Sequence, residues 1–150
     1  MSAKSSPRKS RSAREQSRAL DIQIQFMEGL VRRDPSYVEA LQLLGDNYTK
    51  RGRYSDGLGV DERLAELEPN NPLVFYNLAC SYSLLDRCDD AADALEKALR
   101  LGYRDFKWMA KDSDLKKLRA HPRYKAIRAK IKQLKEEDVL FSLVVRWPGI

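Results

Sequence analysis

The chain has 150 residues, of which 43% are hydrophobic and 33% charged, with a formal net charge of +6. This length fits one domain that can bury a core without disulfides or metals. The composition fits a soluble, helix-rich protein better than a membrane protein or a fully disordered one. No segment approaches the roughly 18 apolar residues of a membrane-spanning helix. No apolar run follows the basic start, so we expect no secretory signal and a cytoplasmic location.

The charge is unevenly distributed along the chain. Residues 1–20 carry a net charge of +5 and residues 104–135 one of +9, whereas residues 21–103 carry −6 and residues 136–150 carry −2. An anionic partner therefore has to be considered beside a protein partner.

The N-terminal arm, residues 1–18, contains the basic, low-complexity stretch SPRKSRSAR. Its composition predicts disorder. As an alternative function, this arm and the basic segment 104–135 could bind nucleic acid or another polyanion, through the arm residues Arg8, Lys9, Arg11 and Arg14. The arm has no aromatic residues that would stack on bases, which makes this the less favoured alternative.

The central part of the chain repeats itself. A shift of 34 residues superposes residues of similar size, pairing Leu41 with Phe75, Leu44 with Leu78, Gly45 with Ala79, Tyr48 with Tyr82, Gly57 with Ala91, Val60 with Ala94 and Leu64 with Ala98. The reverse shift places Phe26, Leu30 and Pro35 over Val60, Leu64 and Pro69. A period of this length is typical of helical repeat proteins.

Each repeat has the pattern of a helical hairpin. Leu41, Leu44 and Tyr48 follow the spacing of one helix face, and a second apolar face follows in residues 58–67. Gly52 between them can adopt the left-handed conformation that ends a helix. The small residues at 45 and 57 are expected where the two helices cross.

These residues resemble the tetratricopeptide repeat, whose large, large, small, aromatic pattern occurs here almost twice. The resemblance implies an all-α, right-handed solenoid of helical hairpins, with full repeats at residues 38–71 and 72–105 and a half repeat at residues 19–37. Asp61, where the family usually has a bulky apolar residue, and Tyr103, in place of the closing proline, depart from the pattern.

A third copy fails, because Asp112 and Lys116 stand where Leu44 and Tyr48 should recur. The segment that follows is similar to the closing segment of many bacterial tetratricopeptide proteins. Its last helix has apolar residues at helical spacing that can cover the second repeat, namely Tyr124, Ile127, Ile131 and Leu134. We therefore expect one helical domain over residues 19–135.

The tail, residues 136–150, contains the apolar run VLFSLVV. Such a run is unusual on an exposed tail. Three interpretations remain open: the tail folds back on the cap, fills the groove of its own chain, or pairs with a second copy in a homodimer.

No catalytic, metal or cofactor site is predicted. Cys80 and Cys88 lack further ligands, and the single histidine, His121, belongs to a different element. The cluster from Asp86 to Asp93 lacks the order of a calcium loop, and its carboxylates fit a helix start. We expect a non-enzymatic protein without cofactors.

The predicted groove stripe lies beside the core-facing residues of the first helix in each repeat. In the tetratricopeptide family this stripe lines a concave surface that receives peptides, so the resemblance implies an adaptor that binds a peptide or protein segment in a shallow groove. The stripe consists of Glu39, Gln42, Asp46 and Thr49 in the first repeat and Leu73, Tyr76, Cys80 and Ser83 in the second. This composition suits a neutral or basic segment with a hydrophobic anchor.

Overall fold

Helical hairpins make up the fold, for which a computed structural model describes residues 7–149, with side chains from residue 11 onward. The helices are α1 (Pro7–Arg33), α2 (Val38–Arg51), α3 (Tyr54–Leu67), α4 (Pro72–Leu84), α5 (Cys88–Arg100), α6 (Phe106–Lys111), α7 (Lys116–Arg119) and α8 (Tyr124–Val145). A 3₁₀ turn, Ser113–Leu115, lies between α6 and α7. No β-strand occurs within residues 7–149.

The helices pack in the order that the repeat predicts. Helix α2 packs on α3 and α4 packs on α5, while α1 contacts α2 and α3 contacts α4. Each hairpin therefore stacks on the next. The predicted fold class is confirmed, since the described chain is an all-helical, tetratricopeptide-like solenoid.

The turn inside each hairpin is built in the same way. Gly52 follows α2 with a φ of 81°, and the next backbone N–H, that of Arg53, donates to the Tyr48 carbonyl at 2.8 Å. This is the hydrogen-bond pattern of a left-handed helix ending. Asp86 occupies the equivalent position in the second hairpin with a φ of 62°. The two turns share their geometry although only the first has a glycine.

Small residues lie where α2 and α3 cross, as predicted. A Cβ on Gly45 would lie 3.3 Å from Val60 Cγ1 and 3.3 Å from Asp61 Oδ1. A Cβ on Gly57 would lie 3.7 Å from Tyr48 Cβ. The glycines let the two backbones approach, which positions Asp61 against the next repeat.

The prediction that residues 1–18 are disordered is wrong for most of this arm, because the first helix begins at Pro7. Residues 7–18 belong to α1, and only residues 1–6 of the arm lie outside the described part of the chain. Once Ile24, 1% exposed, anchors the helix on α2, extending it toward the N-terminus costs little. Proline is tolerated in the first turn, and an Arg11–Glu15 pair at 3.2 Å supports the next.

The main core lies between α4, α5 and the residues that follow them. Leu95, Ala98, Met109, Leu115 and Leu118 are each fully buried there. The start of α8 completes this core with Tyr124, Ile127 and Leu134, while Ile131 is partly buried, so the predicted cap helix does cover the second repeat. Helix α8 then continues through the predicted boundary at residue 135 without a break.

Arg123 links the start of α8 to α5 by ion pairs and a hydrogen bond. Its guanidinium lies 2.7 Å from Asp93 Oδ1 and 3.4 Å from Glu96 Oε1, and it donates to the Asp89 carbonyl at 2.9 Å. The aspartates that begin α5 therefore bind a cationic side chain of the cap.

Replacing Gly52 or Gly59 by alanine should change the stability of the protein in opposite directions. Gly52→Ala should lower the free energy of unfolding by about 1 kcal/mol, because a Cβ is strained at positive φ. Gly59→Ala should raise it by about 0.5–1 kcal/mol, because this exposed position lies inside α3 with open space around it. Denaturant unfolding followed by circular dichroism measures both, and a stabilised Gly52→Ala variant would contradict the left-handed turn.

Candidate functional site

The residues of the predicted groove stripe do not form one continuous surface in the structure. Gln42, Asp46 and Thr49 of α2 line a cavity together with Tyr76 and Cys80 of α4. Two further residues of the stripe, Glu39 and Leu73, are exposed but do not line this cavity, and Ser83 is fully buried.

Three of the four residues in the second half of the stripe, Tyr76, Cys80 and Ser83, lie under residues 103–118, which we call the covering segment. Tyr76 is only 3% exposed, and its ring stacks on that of Tyr103 with the centroids 4.2 Å apart. Its hydroxyl donates to Asp112 Oδ2 at 2.6 Å. Burial, followed by the neighbouring Cys80 and Asp112, raises the pKa of Tyr76 far above its usual range. Tyr76 is thus a structural residue with one edge on the cavity.

Cys80 and Ser83 are held by the same segment. The Cys80 thiol donates to Asp112 Oδ2 at 3.7 Å, and burial, the largest cause, raises its pKa. Ser83 Oγ accepts from the Leu118 backbone N–H at 3.2 Å. The prediction that Tyr76, Cys80 and Ser83 form an open contact surface is therefore wrong, because the chain covers this part of its own groove.

The cavity has a volume of about 220 Å³ and lies between α2, α3 and α4 on one side and α6 with the 3₁₀ turn on the other. Four carboxylates line it, from Asp46, Asp61, Asp112 and Asp114. Its lining also includes the half-exposed ring of Trp108. Within the described residues, no lysine, arginine or histidine lines the cavity.

The carboxylates differ in their surroundings. Asp46 is exposed, and Lys50 Nζ lies 2.7 Å from its Oδ2. Asp114 is half-buried, and burial, followed by the charges of Asp112 and Asp46, raises its pKa. Lys50, outside the cavity, therefore balances the charge of Asp46, whereas no cationic side chain of the lining balances Asp112 and Asp114.

Asp61 and Asp112 are the two buried carboxylates of the cavity. Asp61 is 8% exposed, and the Ser81 hydroxyl of α4 donates to its Oδ2. Burial raises the pKa of Asp61 to about 6, although the hydrogen bond from Ser81 acts in the opposite direction. The hydrogen bond from Ser81 to Asp61 joins α4 to α3. Above about pH 6 the Asp61 carboxylate also adds a negative charge to the cavity wall.

Sequence reasoning missed Trp108, Asp112 and Asp114 as site residues. From the sequence, the loss of the repeat pattern at Asp112 indicates only that the solenoid ends there. In the structure, the polar residues of this segment turn the chain back over α4. Asp112 Oδ1 accepts from the Asp114 backbone N–H at 3.0 Å and so begins the 3₁₀ turn. The one available signal was Asp61, a carboxylate at a position that the repeat pattern reserves for an apolar residue.

The arm residues of the polyanion alternative do not form a defined site. Arg11 pairs with Glu15, and Arg14 is exposed on α1. Arg8 and Lys9 lie in α1, but their side chains are outside the described residues. The geometry therefore gives the nucleic-acid alternative no support.

Metal binding has no geometric basis in the described side chains. Within residues 11–149, no group of three or more His, Cys, Asp or Glu residues lies in an arrangement that could hold a metal ion. Cys80 and Cys88 are both buried free thiols.

Three known proteins show similarity over much of the chain. A protein of Arabidopsis thaliana, named as chloroplastic, is 34% identical over 110 residues, which is 69% of this chain and 31% of that protein. The peroxisomal targeting signal receptor of Komagataella phaffii is 36% identical over 88 residues, 58% of this chain and 15% of the receptor. The human PEX5-related protein is 32% identical over 92 residues, 61% of this chain and 14% of that protein.

The chain spans less than a third of the length of each of these relatives. No protein-family model matches it. The similarity and the packed hairpins together indicate a tetratricopeptide-like helical repeat. The bacterial type of the closing segment stays a prediction.

The described helices include none that is both long and apolar enough to cross a membrane. The cytoplasmic location stays a prediction, and one relative is named as a chloroplast protein.

The raised pKa of Asp61 predicts a pH-dependent stability. Between about pH 4 and pH 6 the folded state retains a proton that the unfolded state has lost, so the stability of the protein falls as the pH rises through this range. Asp61→Asn removes this loss. From pH 4 to pH 7 the free energy of unfolding of the variant, relative to that of the parent, should therefore rise by about 2 kcal/mol, at about 1.4 kcal/mol for each pKa unit. Denaturant unfolding at both pH values measures the gain, and a difference that does not change with pH would contradict the burial of a charge.

Proposed function

We propose that the chain binds a peptide or protein segment at the cavity between α2, α4 and the covering segment, and that the cavity takes a lysine or arginine side chain of the partner. The observation that carries this proposal is the lining of four carboxylates without a cationic side chain. A partner cation lowers the repulsion that Asp112 and Asp46 exert on Asp114. Within residues 11–149 only Asp46 of these three forms an ion pair, with Lys50, and that lysine does not line the cavity.

The size of the cavity favours one side chain over a whole peptide. Pockets that hold drug-sized ligands usually enclose about 300–1,000 Å³, whereas this cavity encloses about 220 Å³. A long basic side chain can enter such a space while its backbone stays outside on α2.

Trp108 offers a second contact for a cation. Its ring is 46% exposed, and Lys111 Nζ already lies 5.6 Å from the ring centroid. A guanidinium or ammonium group over such a ring gains about 0.5–1 kcal/mol at an exposed site. The aromatic ring and the carboxylates therefore favour the same chemistry.

The name of one relative is consistent with recognition of a protein segment. This relative is described as a receptor for a peroxisomal targeting signal. Since the chain covers only 15% of that receptor, the similarity supports recognition of a segment and says nothing of its sequence. No catalytic step is part of the proposal.

A positional-scanning library of hexapeptides, acetylated and amidated at the ends, provides the test. Peptides with lysine or arginine beside an apolar residue should bind best, with an affinity that falls as salt concentration rises. In the best peptide, acetylation of the lysine should weaken binding roughly tenfold, because it removes the charge. Isothermal titration measures both effects.

Variants locate the binding at the cavity. The double variant Asp46→Asn, Asp114→Asn should weaken binding of the selected peptide roughly tenfold. Glu39→Gln is the matched control, because it neutralises an exposed carboxylate of the same stripe that does not line the cavity. In a Trp147→Phe background, Trp108 fluorescence should change on binding. Selection of acidic peptides, or equal effects of the cavity and control variants, would overturn the proposal.

A further inference from the structure

The last helix carries an apolar stretch that nothing in the described chain covers. We call residues 136–147 the C-terminal extension; its apolar side chains are 60% to 73% exposed, namely those of Val139, Leu140, Phe141, Leu143, Val144, Val145 and Trp147. They lie on all sides of the helix. A helix that is apolar all round is normally buried in a protein interior or an assembly.

The first helix has an uncovered apolar face at the other end of the solenoid. Ile22 is 61% exposed and Phe26 is 64% exposed, one helical turn apart on α1. The side of α1 that holds Ile24 packs on α2, so this face points away from the solenoid.

The repeat indicates what should cover this face. In the 34-residue register, Phe26 and Leu30 are equivalent to Val60 and Leu64 of α3, which pack in a cluster with Leu41 of α2. In α1, the same positions therefore present the surface on which the first helix of a hairpin would pack. No helix occupies that place within residues 7–149.

The described part of the chain cannot fill the place by folding back. Helix α1 runs without interruption from Pro7, so the residues directly before Phe26 are already helical and lead away from it. Helix α8 packs on α5, which is separated from α1 by the intervening helices of the stack. The missing helix must therefore come from outside this arrangement.

We propose that the C-terminal extension of a second copy of this chain packs on the exposed face of α1. Paired helices in each hairpin run antiparallel, and an antiparallel arrangement brings residues 140–147 against Leu30, Phe26 and Ile22. This proposal goes beyond peptide binding and does not depend on it.

The charges at the edge of the proposed contact are complementary. In the antiparallel arrangement the acidic start of the extension, Glu136 and Glu137, lies next to Arg32 and Arg33 at the end of α1. All four side chains are exposed. Within residues 11–149, none of them forms an ion pair. The contact would pair two positive residues with two negative ones.

The available area is sufficient for a stable dimer. The extension exposes seven large apolar side chains, each offering about 100 Å². A two-fold dimer has two such contacts, in which each extension packs on the α1 of the other copy. About half of these side chains can face α1, and with a similar area on α1 itself the two contacts bury on the order of 1,200 Å², at the lower end of the roughly 1,200–2,000 Å² of stable interfaces.

Sedimentation velocity of the whole chain over a range of concentrations tests the proposal. The parent should associate into a dimer, and two separate changes should each weaken the association at least tenfold: Phe26→Ser on α1, and Phe141→Ser with Val144→Ser on the extension. All three side chains are exposed, so the fold should persist, which thermal unfolding checks. Leu43→Ser is the matched control, because Leu43 is a half-exposed apolar residue of α2 away from this face.

Charge reversal tests the orientation. Arg32→Glu with Arg33→Glu should weaken the dimer, as should Glu136→Arg with Glu137→Arg, and a chain that carries both reversals should associate again. A parent that stays monomeric at all concentrations would overturn the proposal. So would a dimer that is weakened by the extension variants but not by Phe26→Ser, since the extensions would then pair with each other. Binding of the extension to lipid vesicles by a parent that does not dimerise would also contradict it.

Discussion

Helix α4 is buried along almost its whole length, and its polar side chains therefore need partners inside the protein. Three neighbours supply them: Asp61 of α3 receives the Ser81 hydroxyl, Asp112 receives the Tyr76 hydroxyl, and the Leu118 backbone N–H bonds to Ser83. A buried polar group without a partner would cost about 1–3 kcal/mol. These bonds hold α4 in one register between the preceding repeat and the covering segment.

The cavity is a consequence of this arrangement. The covering segment has to reach Tyr76 and Ser83, so it packs on α4 and leaves a space in front of α2. The carboxylates that receive the polar groups of α4, Asp61 and Asp112, then form part of the wall. Asp61 and Asp112 thus both stabilise the fold and line the cavity. Asp46 and Asp114 are the more accessible carboxylates of the same wall.

The hairpins could be predicted from sequence because their cause is local and periodic. The spacing of Leu41, Leu44 and Tyr48, with Gly52 after them, specifies both a buried helix face and its end. The covering of Tyr76 could not be predicted in this way, since it depends on residues 103–118, where polar side chains interrupt the pattern. In the sequence, Asp112 is only a polar residue at a position where the repeat has an apolar one. Its role becomes visible in its contacts with Tyr76 and Cys80.

The cavity escaped prediction for a related reason. Its wall combines residues that are more than 60 positions apart, such as Asp46 and Asp114. The arm was misjudged because composition favours disorder, whereas a helix already anchored by Ile24 extends at little cost. Each error concerns a long-range effect that a pattern of neighbouring residues does not contain.

The length of α1 has a mechanical consequence. Residues 11–16 are exposed, and the stretch from residue 7 to residue 16 extends the helix by about 15 Å beyond its better-packed part. A helix of this kind acts as a stiff spacer rather than as a flexible tether. Whatever is attached at its N-terminal end is held at a set distance and direction from the solenoid, which narrows the region of space it can search.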